Sequence, residues 1–181
     1  TGDDIVLTLA ETPFYAESGG QVGDTGVIQT DSCTIQVLDT TKNVSGVYMH
    51  KAVVKEGFVR AGDTAHAAVD AERRFAIMRN HTAAHLLQAA LRTVLGDHVE
   101  QAGQLVNEQA VRFDFTHFSA LTDDELLAVE KLVNEKILEN IPVECREMPI
   151  EEAKKLGAMA LFGEKYGDIV RVVRAGDFST E

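Results

Sequence analysis

DAERRFAIMRNHTAAHLLQAALRTVLG, residues 70–96, is where the character of this chain changes. Its apolar residues recur at helical spacing, and Gly96 stands where a helix would stop. At ~100° per residue, His81, His85, Gln88 and Arg92 share a narrow polar stripe, with Phe75, Leu86, Ala90 and Val94 on the far side. Two histidines at i and i+4 lie on one helix face, close enough to share a metal ion. They do not read as core fillers. Solvent-exposed helix residues remain the bland alternative, because two ligands are not a zinc site. The metalloprotease pattern is excluded: a glutamate should follow the first histidine, and Thr82 stands there.

Upstream of this helix the chain reads as β structure. Ile5 to Leu9 is a β-rich run ending near Pro13, and Thr34 to Leu38 alternates apolar and polar residues as a half-buried strand does. Val47 to Lys55 and Thr64 to Val69 continue the pattern, with Ser45-Gly46, Gly57 and Gly62-Asp63 as turns. Short strands at this spacing suggest a small barrel or sandwich. Glu17 to Gly26 holds four glycines in eight residues (Gly19, Gly20, Gly23, Gly26). No lysine follows and no helix starts there, so a phosphate-binding P-loop is excluded. A glycine-rich β connection is the better reading, with Gln21 and Asp24 the side chains that could do more.

Downstream, strands alternate with helices. Gln109 to Phe115 reads as a strand. Thr122-Asp123-Asp124-Glu125 is a capping box opening a helix that runs to Asn140, before Pro142. A strand (Val143 to Met148), a short helix (Glu151 to Leu156) and a last strand (Asp168 to Val173) follow. The Gly157 to Gly167 loop carries Glu164, Lys165 and Tyr166, a combination that alone specifies nothing.

Composition bounds the function. At 181 residues with 45% apolar and 25% charged side chains, the chain fits one large domain or two small ones. No segment resembles a membrane span or a signal peptide. Two cysteines, Cys33 and Cys145, make no disulfide framework, so a reduced, cytoplasmic setting is expected. A net charge of −12 is the opposite of a protein held to nucleic acid mainly by counterion release.

The segments taken together resemble the editing region of alanyl-tRNA synthetases and the free-standing AlaX proteins. The matching stretches are Thr12-Pro13-Phe14-Tyr15-Ala16-Glu17-Ser18-Gly19-Gly20-Gln21, Arg79-Asn80-His81-Thr82-Ala83-Ala84-His85-Leu86-Leu87, Gln101-Ala102-Gly103-Gln104-Leu105-Val106, Arg112-Phe113-Asp114-Phe115 and the Gly157 to Gly167 loop. They run in family order across nearly the whole chain. The resemblance implies an α+β protein. A small translation-protein-like β-barrel at residues 1–68 would pack on an α+β editing domain at residues 69–181, with long helices on an antiparallel or mixed sheet, as in threonyl-tRNA synthetase editing.

The family holds zinc with a histidine pair plus a cysteine and a histidine of a Cys-Gly-Gly-Thr-His run. His81 and His85 match the first pair. The second pair should follow Glu181, so this form is expected to bind zinc poorly and edit weakly. Beginning at Thr1 and stopping inside a motif favours a piece of a longer synthetase.

The implied reaction is hydrolysis of the ester in Ser-tRNA(Ala) and Gly-tRNA(Ala). One methyl group is worth only ~1–3 kcal/mol of discrimination, and a second, hydrolytic site makes up the deficit. Gln101 matches a family residue near the amino-acid pocket, and its amide can donate and accept toward a serine hydroxyl. Thr82 supplies the nearer hydroxyl; Ala84 stands where some relatives carry threonine. No carboxylate lies in the histidine motif to act as a base. Candidate contacts to the acceptor end of tRNA(Ala) are Arg73, Arg74, Arg79, Lys154, Lys155 and Lys165, each a surface charge on the bland reading. Partners would be that charged tRNA and the rest of the synthetase. The competing readings are a free-standing AlaX-type deacylase and a non-catalytic RNA-binding or metal-binding module.

Overall fold

A computed structural model of the chain describes residues 2–158 and 167–181. It is α+β, with antiparallel sheets and three helices among the described residues. The chain divides into two compact units. The first is Thr1–Asn80 with Leu105–Val111, and the second is His81–Gln104 with Arg112–Glu181.

In the first unit, β1 (Asp4–Leu7), β2 (Gly26–Gln29), β3 (Cys33–Lys42), β4 (Tyr48–Gly57) and β5 (His66–Val69) form one antiparallel sheet, in the order β1-β4-β3-β2-β5. That order has two edges, so the described residues form an open sheet rather than a closed barrel. Cys33, Ile35 and Val37 alternate with half-buried Thr34 and Gln36 and join Phe14, Ile28, Ala52 and Val54 in one core. Burial of each large side chain there is worth about 1.5–3 kcal/mol. The alternation breaks at a bulge between Val37 and Asp39. The alternation holds through exposed Leu38, and one extra residue reverses the facing of those after it, so Thr40 rather than Asp39 is buried.

The helix α1 (Ala71–Leu95) passes from the first unit into the second between Asn80 and His81. It ends where Gly96 takes a φ of 114°, a conformation that is strained for residues with a Cβ. In the second unit, β6 (Gln101–Val106) pairs with β7 (Val111–Phe115), and β8 (Val143–Pro149), β9 (Ile169–Ala175) and β10 (Ser179–Thr180) form an antiparallel sheet in the order β10-β9-β8. The helices α2 (Asp123–Leu138) and α3 (Ile150–Lys155) complete the unit. Both halves of the α2 capping box are present: Thr122 Oγ1 accepts from the Glu125 amide, and the Glu125 carboxylate accepts from the Thr122 amide. Ala90, Leu91, Val99 and Val129 form the core, with Phe113, Phe115, Leu132 and Phe178 packed against it.

Strands β2, β6 and β10 were not foreseen, and the strand expected from Gln109 starts at Val111. No helix among the described residues is long and apolar enough to cross a membrane.

Candidate functional site

The glycine-rich segment serves the scaffold of the first unit. Ser18 and Gln21 exchange backbone hydrogen bonds at 3.2 and 3.0 Å around Gly19 and Gly20, whose φ angles are 57° and 78°. Two successive positive φ values are what a tight hairpin of the I′ kind requires. Val106 donates to the Gly20 carbonyl and accepts from Val22, and Gln21 bridges Val106 in parallel.

Asp24, 1% exposed, is the electrostatic centre of this unit. Its Oδ2 accepts from the Tyr15 amide at 2.6 Å, and the Arg74 guanidinium grips both its oxygens, with Nε on Oδ1 at 2.8 Å. Arg74 also donates to the Pro13 carbonyl at 3.1 Å. A buried carboxylate needs such a bidentate partner.

The basic candidates divide accordingly. Arg74 is engaged by Asp24. Arg73 donates to the Gly23 carbonyl at 2.8 Å and pairs with Glu108 at 3.2 Å. Arg79 and Lys155 are exposed, Lys154 is paired with Glu151 at 2.8 Å, and Lys165 lies outside the described residues. Asn80, beside the histidine motif, anchors on the Asn107 carbonyl at 2.7 Å.

The second unit holds the histidine pair. One helical turn apart, the His81 and His85 rings stack at 5.0 Å between centroids and 13° between planes. Both are half-buried, which corrects the solvent-exposed alternative. Burial, then the neighbouring His85 and the Arg171 guanidinium, push the His81 pKa down to about 4. At neutral pH His81 is therefore an uncharged imidazole, the form that binds a metal.

The stripe drawn from periodicity is corrected in two places: Gln88 is 5% exposed, and Phe75 is 57% exposed. Thr82 and Gln101 are half-buried in the same unit, and among the described residues neither side chain makes a hydrogen bond.

Glu181 was not foreseen as part of this site. Its Oε2 lies 2.5 Å from His85 Nδ1, and its side chain is only 10% exposed. Its other oxygen, Oε1, is buried without a hydrogen-bond partner, as is Gln88 Oε1. Strand geometry brings it here. Glu181 exchanges backbone hydrogen bonds with Val173 at 2.7 and 2.9 Å. Ser179 pairs with Ala175 two residues earlier, and its Oγ reaches the His85 carbonyl at 3.5 Å. Residues two apart on a strand share a face, so Ser179 and Glu181 both point to α1. Arg171 stands on the matching face of β9 and donates to Cys145 Sγ at 3.4 Å.

This donor set suits a divalent cation in part. Two stacked imidazoles, one of them held neutral, are acceptable ligands, and a desolvated carboxylate oxygen lacking a partner is a place where positive charge is stabilised. Among the described residues no group of three or more His, Cys, Asp or Glu side chains is arranged to hold a metal. The described residues thus bring two imidazoles and one carboxylate together without completing a metal-binding set.

Similarity to known proteins covers both units. Residues 1–73 match the family model described as class II (A) tRNA synthetases. Over 180 residues, 99% of its length, the chain is 57% identical to an alanine–tRNA ligase of Acetivibrio thermocellus, covering 20% of that protein. Alanine–tRNA ligases of Desulfitobacterium hafniense and Bacillus subtilis are 53% and 51% identical over 99% of the chain, which covers 21% and 20% of them. The chain thus spans about a fifth of the length of the curated relatives it matches.

Proposed function

We propose that this chain is the editing part of an alanyl-tRNA synthetase, a deacylase that hydrolyses Ser-tRNA(Ala) and Gly-tRNA(Ala) at the aminoacyl ester. The observation that carries the proposal is the stacked, half-buried His81–His85 pair, within a chain that is 51–57% identical over 99% of its length to proteins named alanine–tRNA ligase. A pair in a helix that served packing alone would have no reason to keep two imidazoles beside an incompletely satisfied carboxylate.

His81 and His85 would hold a zinc ion, together with a cysteine and a histidine from a Cys-Gly-Gly-Thr-His run. Bound there, zinc would supply Lewis acidity toward the ester or an acidified water. The chain's own groups do the rest. The His81 imidazole stays neutral, and the Thr82 hydroxyl and the Gln101 amide, free of other side-chain bonds among the described residues, are available to a serine hydroxyl or the ester carbonyl. The missing base in the histidine motif favours positioning over side-chain proton abstraction.

The acceptor end of tRNA(Ala) is the partner, with Arg79 and Lys155 the better-placed cations and Arg73, Arg74 and Lys154 already engaged; Lys165 keeps its candidate role. At a net charge of −12, attraction to tRNA is local and weak, so the rest of a synthetase supplies recruitment in the cytoplasm. Residues 1–68 act as the β subdomain of the pair, and the bulges in β3 are the kind that coil a sheet toward a barrel.

The test is deacylation of Ser-tRNA(Ala), Gly-tRNA(Ala) and Ala-tRNA(Ala), by this chain and by the corresponding segment within a full-length alanine–tRNA ligase. Faster hydrolysis of the seryl and glycyl esters than of the alanyl ester supports editing. Background rates on all three in both formats would overturn it.

A further inference from the structure

We infer that Glu181 is a positioning residue for the histidine pair: its carboxylate fixes the His85 tautomer so that Nε2 presents its lone pair to whatever the pair binds. This rests on the reading of His81 and His85 as a ligand-holding pair.

The hydrogen bond itself is one-directional in chemistry. An ionised carboxylate only accepts, so the proton between Glu181 Oε2 and His85 Nδ1, 2.5 Å apart, belongs to the imidazole. In a neutral ring, Nδ1–H leaves Nε2 as the acceptor. Carboxylates that orient metal-binding or catalytic histidines work in this way.

Three further observations distinguish this contact from a chance surface pair. Glu181 is tied to Val173 by both its amide and its carbonyl, so the carboxylate is delivered by the sheet rather than by a loose chain. The His85 side is also held, because Ser179, two residues before Glu181 on the same face, reaches the His85 carbonyl. Finally, Glu181 is nine-tenths buried with Oε1 unpartnered. A desolvated carboxylate oxygen without a hydrogen-bond partner is costly, and a cation on the imidazoles would offset that cost. Both partners belong to the second unit, ninety-six positions apart in the chain.

The experiment is long-range ¹H–¹⁵N correlation of the histidine rings in the 181-residue chain near pH 8, followed by titration with zinc alone. In the unaltered protein His85 is expected as the Nδ1–H tautomer. In Glu181→Ala it shifts toward the Nε2–H form that free imidazole prefers. Glu181→Gln, which keeps an acceptor oxygen, retains most of the native tautomer and shows that the fold persists. Zinc affinity is expected to fall about 10–100-fold in Glu181→Ala.

An unchanged His85 tautomer in a folded Glu181→Ala protein would overturn the role of Glu181, whatever zinc does. A tautomer that shifts as expected, while zinc binds to none of the three proteins, upholds the role of Glu181 and counts instead against the metal reading of the pair.

Discussion

Two buried carboxylates, Asp24 and Glu181, are held in contrasting ways. Asp24 receives a backbone amide and a two-pronged guanidinium, so both its oxygens are satisfied within the first unit. Glu181 receives one imidazole nitrogen and leaves an oxygen without a partner. Burial alone therefore does not mark a site. A closed network is scaffold, and a network with an open valence beside two stacked imidazoles is the candidate place for an external group.

The comparison is broken most directly by removing its closed half. Asp24→Ala leaves the Arg74 guanidinium and the Tyr15 amide without their acceptor and is expected to destabilise the protein by about 3 kcal/mol. His81→Gln is expected to cost under about 1 kcal/mol at pH 7, as substitutions away from closed networks do. Urea midpoints for the two variants would read the difference, and an equal loss would erase the distinction.

Acid sharpens the contrast. His81 titrates at about 4 in the folded chain against 6.5 for the ordinary side chain. The unfolded state therefore binds the extra proton first, and stability falls as pH drops from 6.5 toward 4. Discounted for its partial exposure, the loss is at most about 2 kcal/mol. Buried His50, also lowered by desolvation, adds to the same limb. Thermal melts between pH 7 and 4 should show a shallower fall in His81→Gln than in the parent. Parallel curves would mean that His81 is not held neutral by the fold.

A smaller effect is expected at the α2 cap. Thr122→Ala removes the side-chain acceptor for the Glu125 amide and should cost about 1 kcal/mol in urea melts, with zinc affinity unaltered. The smallest concerns tRNA. Lys155→Ala should leave stability unchanged and weaken tRNA binding at low salt by no more than about threefold, because each phosphate contact contributes a modest salt-dependent increment. A large loss would place more of the tRNA interface on this surface than its charge suggests.

Legibility in the sequence followed how local each signal was. The α2 cap needed four residues, and the extent of α1 needed its periodicity and Gly96; both were readable. The faces of α1 were not, because its first ten residues belong to one unit and the remainder to the other. The buried positions are Ile77 in the first part and Ala84, Leu86 and Gln88 to Leu91 in the second. A single averaged stripe therefore misassigned Phe75 and Gln88.

Strand β6 was missed because Gln101-Ala102-Gly103-Gln104 lacks apolar alternation, and its place depends on pairing with β7. The histidine pair was visible as spacing. Glu181 was not, since it reaches His85 only through the pairing of β10 with β9 and across ninety-six residues. No local pattern encodes such a contact.

The central claim is that the open network, not the closed one, performs the chemistry. Single-turnover hydrolysis of Ser-tRNA(Ala) by His85→Ala, beside the unaltered protein and within a full-length alanine–tRNA ligase, tests it most directly. The account predicts a loss of about a hundredfold or more with the fold intact, in the range for removal of a group that stabilises the transition state. A folded His85→Ala protein that hydrolyses the seryl ester within about twofold of the parent rate, under 0.5 kcal/mol in barrier height, would contradict it.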